Sequence, residues 1–450
     1  MLETRASFWN PALASGQVVT AVNTAQEVAA RLREHNQIEA AVVAAAQQTA
    51  FPRSVHWQPY GVAQGYAGLA IMCGYLDTCF PNQDWDVIAH RCIELAARDA
   101  EHQFYLPKGI FVGLSGLAFA AWYLSLGGKR YRKLLAAIEE ILLPQIIVHA
   151  NRLAEQKKDV SFGQFDLISG LSGVGAYLLC RREDPKGVAT LRAVLSSLTE
   201  LTKEEAGLPH WHTPAHLLGD EEMQRLYPNG NLNCGLAHGI PGPLALLSLA
   251  HISGVIVDGM EDAIHRVATW LLQHRLDDTW GINWPSMLHL EDDGKVSTEP
   301  AFPFEPSRTA WCYGSPGVAR ALWFAGKALD NAEYRELAVA AMEAVYKRPL
   351  HVRRIDSPTF CHGVAGLLQI TLRFAHDTGL PQFSQAAQAL SEQLFSSYDP
   401  DRPLGYYSLE PGGNRVDHPG LLDGVPGVVL VLLAAATTVE PVWDHLFLLS

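Results

Sequence analysis

The sequence predicts an all-α protein: an α/α toroid, a double-layered barrel in which seven inner helices are ringed by seven outer ones. Three observations predict it. A Gly-x-x-Gly unit recurs seven times, each copy is followed by a run that is apolar almost all round, and amphipathic segments of helical spacing lie between the copies. No alternating strand pattern of comparable strength competes with them.

The units begin at Gly65, Gly113, Gly170, Gly239, Gly314, Gly363 and Gly424. Successive first glycines lie 48, 57, 69, 75, 49 and 61 residues apart, and seven copies in one chain are hard to obtain by chance even with 37 glycines. The runs after them, such as LAFAAWYLSLGG, PLALLSLAHISG and VARALWFAGKAL, read as helices buried on most sides. The segment 84–97 (DWDVIAHRCIELAA) reads as an outer helix with Val87, Cys92 and Leu95 among charges, and Thr24-x-x-Glu27 reads as a capping box opening another. Each repeat is then one inner and one outer helix. At the tight start of an inner helix the first glycine can take φ > 0, and the second lets neighbouring backbones approach. For most copies this turn chemistry is the whole role of the glycines, so function is expected in the residues beside them. One domain over residues 1–450 is expected, with the motif-bearing core at about 60–430.

Composition narrows the function classes. A hydrophobic fraction of 48% with 18% charged residues suits a well-buried globular chain. The net charge is 34 − 47 = −13, with no basic run, which argues against nucleic acid or an anionic membrane as partner. Residues 1–17 lack a basic and then apolar signal pattern, and the uncharged stretch 424–439 is 16 residues, short of the ~20 that a spanning helix needs. A soluble, cytoplasmic protein is expected. Seven widely spread cysteines do not form a disulfide framework, so buried thiols or metal ligands remain.

The residues before the first glycine carry the chemistry. His238 is at minus one in the fourth repeat, Cys312 at minus two in the fifth, and Cys361 and His362 at minus two and minus one in the sixth. If the repeats are equivalent, all four lie on one rim of the ring. Two thiolates and an imidazole are a standard zinc shell, and three protein ligands with an open fourth position are the pattern of a catalytic site. Singly, Cys312 and Cys361 read as ordinary buried thiols; the shared register turns them into ligands. His238 is either a fourth ligand or a general acid/base. Cys234 makes a C-x3-H pair with His238 but falls outside the register.

The segments NCGLAHGIPG (233–242), WCYGSPG (311–317) and CHGVAG (361–366), in this order, resemble the signature of the LanC family, the cyclases of lanthipeptide biosynthesis. The resemblance runs over about residues 60–430. It implies a double-layered α/α toroid with one zinc ion per chain on Cys312, Cys361 and His362, the set already reached from register. It implies active-site roles for His238, Asp166, Arg308 and Tyr313. Asp166 and Arg308, at minus four and minus six, would otherwise read as a loop charge or a helix cap. With the resemblance, Asp166 is expected to orient His238, and Arg308 to hold the same network or a developing oxyanion. The implied reaction adds peptide cysteine thiols to dehydroalanine or dehydrobutyrine, giving lanthionine and methyllanthionine rings. The implied partners are a dehydrated, leader-bearing precursor peptide, a dehydratase and an exporter, with the chain as the stand-alone kind of cyclase. A LanC-like protein that binds glutathione, or adds it to dehydroamino-acid peptides, would use the same residues, and a binding toroid with a closed structural zinc would show His238 as a ligand. Other α/α toroids, such as glycosidases or prenyl cyclases, would need paired carboxylates or Asp-rich motifs at the rim.

Three further features have no assigned role. His210, His212 and His216 resemble a small metal cluster but lie among Pro209 and Pro214, and read as a loop. Asp423 is at minus one in the seventh repeat, and either lines the cavity or caps the helix after it. Residues 276–307 form a long polar connection, with the wrong spacing for an EF-hand, that is placed to contact a peptide.

Overall fold

The computed structural model describes residues 8–52, 56–297 and 307–450. The inner helices are Tyr66–Cys79, Leu114–Tyr123, Leu171–Cys180, Pro241–Ile252, Ser315–Ala328, Val364–Thr378 and Val425–Ala436. Each packs on the next, and the last packs on the first, so the ring closes. Their composition explains their place: all twelve residues of Val425–Ala436 are buried, and so are eight of the ten in Leu114–Tyr123.

Six outer helices follow their inner partners: Trp85–His102, Arg132–Glu155, Pro185–Leu201, Met260–Gln273, Ala332–Lys347 and Pro381–Ser396. The seventh comes from the other end of the sequence. Ser15–Ala30 lies against Val425–Ala436, burying Ala21, Thr24, Ala25, Val28 and Ala29. This corrects the reading of Thr24-x-x-Glu27 as a helix start: the helix begins nine residues earlier, and Thr24 is a buried interior position. Trp85–His102 forms as expected but buries a different stripe. Trp85, Ala89, Cys92, Ile93, Ala96 and Ala100 face inward, while Val87 is exposed. Arg132–Glu155 is the one described helix long and apolar enough to cross a membrane; it serves as an outer layer, with Leu135, Ile138, Leu142 and Ile146 turned into the core.

The glycine units hold the ring together at one level. The residue two before each first glycine accepts a backbone hydrogen bond from the repeat before it. The N–H of Ala63 donates to Phe111 O (3.0 Å), Phe111 to Ile168 (3.4 Å), Leu167 to Ala237 (3.0 Å), Ala237 to Cys312 (3.3 Å), Cys312 to Cys361 (3.3 Å), Cys361 to Leu422 (3.0 Å), and Leu422 back to Ala63 (3.1 Å). These loops thereby satisfy buried amides that no helix can. The second glycine makes room for them. A Cβ on Gly317 would lie 2.5 Å from Trp311 O and 2.7 Å from Leu236 Cβ, which is closer than packing allows. The first glycine meets the expectation of φ > 0 only at Gly314 (+89°); at Gly65, Gly113, Gly170, Gly363 and Gly424 the backbone is extended and φ is negative.

The axis below this level is filled. The last turn, Val442–Phe447, inserts Phe447 against Phe360 (3.8 Å between ring centres), Trp311 (5.2 Å) and Phe111 (5.4 Å). Arg320, 1% exposed, donates to Leu449 O at 2.9 and 2.7 Å and to Asp377 at 2.7 Å, holding the segment in place. The C-terminal segment therefore closes the axis beneath the loop level. Among the described residues, four two-stranded antiparallel ribbons decorate the connections. Asn231–Asn233 pairs with Met287–His289, a short pairing that an absence of alternating pattern did not foretell. The polar connection 276–307 contributes that strand and the hairpin Leu276–Asp278/Gly281–Asn283; its residues 298–306 lie outside the described residues.

Candidate metal and proton-transfer site

Because the seven loops share one register, the residues at minus two and minus one converge. Cys312 and Cys361, both at minus two, are joined through the Cys312 N–H···O Cys361 bond of 3.3 Å. Beside Cys361 stand His362 and Asp423, both at minus one in adjacent repeats. Ligand atoms of these three lie within 4.8 Å of one another, and among the described residues no other place gathers three such side chains. The Nδ1 of His362 is 3.6 Å from Asp423 Oδ1. Cys361 thus stands between the His–Asp pair and the loop of Cys312; Cys312, expected as a ligand, is tied to it by the backbone bond and is not one of the three clustered side chains.

Electrostatics shows what the donor set lacks. The neighbouring Cys312 thiol, then burial, then the Cys312 and Asp423 charges, push the Cys361 thiol well above its ordinary value; Arg308 works the other way. Two thiols and a carboxylate gathered here resist ionising together unless a cation compensates them. Soft sulfur with imidazole is the donor chemistry that zinc selects, so the residues fit the metal that the resemblance implies.

The fourth repeat supplies a second group. His238 Nδ1 lies 2.6 Å from Asp166 Oδ2. Asp166 is fully buried, and its Oδ1 accepts the N–H groups of Ser169 and Gly170, each at 2.8 Å. The carboxylate is therefore locked by backbone, and it fixes Nδ1 as the proton-bearing nitrogen of His238. Nε2 is left for the cavity. The Phe162 ring stands edge-on to the imidazole, 5.4 Å away at 72°. On the other side the Tyr313 ring is 6.4 Å away. Asn233 Nδ2 donates to the Tyr313 hydroxyl at 3.1 Å, and Asn233 Oδ1 accepts from Gly235 N–H at 2.9 Å. Burial pushes the Tyr313 phenol well up, so it stays a neutral O–H whose hydrogen remains available to the cavity.

The structure thus gathers Cys312, Cys361, His362, His238, Asp166 and Tyr313 at one rim, with the Arg308 charge felt at Cys361. Asp423 faces His362, and the cap of the helix after it is Gly424. His238 belongs to the Asp166 pair and not to the cysteine cluster. Cys234 is a core thiol, 1% exposed and pushed up by burial to about 12, outside the site as its register suggested. The three histidines of 210–216 do not converge: His210 faces Glu200 O, His212 faces Asn229 O, and His216 lies near Asp159. Sequence reasoning missed Asn233 and Phe162. Asn233 sits inside a quoted motif, but its role depends on where Tyr313 lands, 80 residues later.

Comparison with known proteins gives the family. The profile of the family described as lanthionine synthetase C-like protein matches residues 56–448. The nisin biosynthesis protein NisC of Lactococcus lactis subsp. lactis is 26% identical over 332 residues, which is 73% of each chain. The solved structure of nisin cyclase superposes with a TM-score of 0.76 at 24% identity, covering 92% of this chain and 97% of that one. With the family profile spanning nearly all of the ring, the chain belongs to the lanthionine synthetase C-like family.

Proposed function

We propose that the chain is a zinc-dependent lanthionine cyclase, closing thioether rings in a dehydrated precursor peptide. The observation that supports this reading is the juxtaposition, on one rim, of Cys361 and His362, with Cys312 on the adjoining loop, and an Asp-oriented histidine. Zinc held by Cys312, Cys361 and His362 would acidify an incoming peptide thiol, which alone is only a few per cent thiolate at pH 7.

The chain's own residues do the rest. The peptide sulfur forms a bond to the β-carbon of a dehydroalanine or dehydrobutyrine, and the C=C π pair moves onto the carbonyl oxygen as an enolate. The Tyr313 O–H, its oxygen already engaged by Asn233, is placed to donate to that oxygen. His238 Nε2 delivers the proton to the α-carbon, with Asp166 holding the imidazole at Nδ1. The thiol proton makes good the one delivered, so the product has the mass of the substrate. Arg308 steadies the anionic charge near Cys361. Holding both reacting segments of one peptide at this rim supplies proximity. The dehydroamino acids must come from a dehydratase acting first, and a modified peptide is the natural cargo of an exporter acting after.

The test uses a peptide with one dehydroalanine and one cysteine. Wild type is expected to consume the thiol at constant mass, and His238→Ala to slow this by about 10²- to 10⁴-fold while keeping its metal. Preference for free glutathione over the internal cysteine, seen as a glutathione adduct, would replace ring closure by the glutathione-adding reading.

A further inference from the structure

Gln64 stands at minus one in the first repeat and takes no part in the proposed chemistry. Its loop adjoins the seventh, because the Leu422 N–H donates to Ala63 O at 3.1 Å. The residue is 8% exposed, and its Nε2 is buried without a hydrogen-bond partner. An amide N–H buried unpaired is costly, and folded proteins keep few of them. A Cβ on Gly420 would collide with Gln64 Oε1 and lie 2.6 Å from Ala63 O, so glycine there lets this carboxamide and its loop lie against the seventh repeat.

Gln64 lines a pocket of about 70 Å³ between the helix His35–Gln48 and the seventh loop, with Val42, Ala46, Thr49, Trp57 and His418 among its other walls. The helix end is strapped to the seventh repeat. Glu410 accepts from Thr49 Oγ1 at 2.6 Å and from Ala50 N–H at 2.9 Å, and Asn414 Nδ2 donates to Gln48 O at 2.7 Å. The lining includes no carboxylate, lysine or arginine, and burial holds the His418 imidazole below its ordinary value. An uncharged, largely apolar pocket with one unpaired donor suits a carbonyl beside an aliphatic chain. A cavity of about 150 Å³ takes up benzene, so half of that admits a small aliphatic side chain and no aromatic ring.

Order around the ring says which part of a peptide reaches this pocket. Along the loop bonds, the repeat of Gln64 lies on one side of the Cys312 and Cys361 loops and the repeat of His238 on the other. A peptide with its cysteine at those loops and its dehydro residue towards His238 runs the residues flanking its cysteine over Gln64. We propose that Gln64 and the pocket beside it form a specificity subsite for the substrate peptide. Gln64 Nε2 donates to a backbone carbonyl next to the substrate cysteine, and the small aliphatic side chain beside that carbonyl fills the pocket. This rests on the reading of a cysteine peptide as the substrate. Gln64 is here a positioning residue, and no bond forms or breaks at it.

The experiment uses the full zinc-loaded chain and one-cysteine peptides whose residues flanking the cysteine are valine, glycine or phenylalanine. Each peptide is made with its serine intact, for binding by calorimetry, and with dehydroalanine, for cyclisation. Wild type is expected to bind the valine peptides best. Gln64→Met keeps the length of the side chain and removes the donor. It is expected to weaken binding of the valine peptides and raise their KM by about 3- to 10-fold, while the denaturation midpoint of the free chain rises because an unpaired buried donor is gone. Ala46→Leu, at an exposed position on the pocket wall, fills the pocket and is expected to erase the preference for valine over glycine. Unchanged binding by Gln64→Met overturns the proposal, and a lowered midpoint beside it would mark Gln64 as a structural, water-satisfied group. A valine preference that is absent from wild type, or that survives Ala46→Leu, overturns the assignment of the pocket. Wild type that neither binds nor cyclises any of the peptides sinks the cyclase reading itself, and is distinguishable from each of those results.

Discussion

Asp166→Asn isolates the part of the site that does not touch metal. The substitution is isosteric, so Oδ1 can keep both amide bonds from Ser169 and Gly170 at 2.8 Å. What changes is the atom 2.6 Å from His238 Nδ1: an acceptor becomes an NH₂ donor. The imidazole must then present Nδ1 as acceptor, and the charged bond that supports it during proton transfer is lost. Hydrogen bonds to charged groups contribute about 1.5–3 kcal/mol, which corresponds to about a 10- to 150-fold fall in rate. The assay is single-turnover cyclisation of a dehydrated one-cysteine peptide, quenched by thiol alkylation and counted by mass, beside metal content on the same preparation. The expected result is slow cyclisation with full metal. Cyclisation within threefold of wild type would refute the role given to the His238–Asp166 pair, and loss of metal would show that the two halves of the site are not separable.

Other expectations follow from the same structure. Gly317→Ala places a Cβ against Trp311 O and Leu236 Cβ and should cost about 1–3 kcal/mol or more, read as a lowered denaturation midpoint; an unchanged midpoint would show that the loop ring yields easily. Arg320→Ala leaves Asp377 and the Leu449 carbonyl without their buried partner and should destabilise by about 3–5 kcal/mol in equilibrium unfolding, with the C-terminal turn becoming protease-sensitive. Burial, aided by Lys108 and Arg152, lowers His149 to about 4. Between pH 6.5 and about 4 the unfolded chain therefore binds a proton there that the folded chain does not, so stability falls as pH falls through this window. His149→Gln should remove up to one proton's worth of that slope, about 1.4 kcal/mol per pH unit, when denaturation is measured across the window; an unaltered slope would contradict the assignment.

The inner helices and the rim were legible because they repeat. A side chain's distance from its glycine is a local quantity, and the closed chain of backbone bonds at minus two converts it into a position on a ring. Cys312, Cys361, His362 and His238 could therefore be brought together from spacing alone, and Asp423 could be placed on the same rim without a role. What lies off the repeat was not legible. Asp166 caps its own loop locally, yet its partner His238 is 72 residues on, and only resemblance connected them. Asn233 acquires its role through the pairing of Asn231–Asn233 with Met287–His289, three-residue strands too short to show a pattern. The seventh outer helix lies at the opposite end of the chain from its partner, and the polar Thr24 within it looked like a cap because sequence alone does not reveal that this face is buried.

The most direct test of the central claim is cyclisation by one preparation before chelation, after chelation, and after zinc is returned, with Cys361→Ala carried alongside. The account predicts thiol loss at constant peptide mass in the first and third states only, one zinc per wild-type chain, and neither metal nor rings with Cys361→Ala. Undiminished ring formation after complete metal removal, or by a metal-free Cys361→Ala chain, would contradict it.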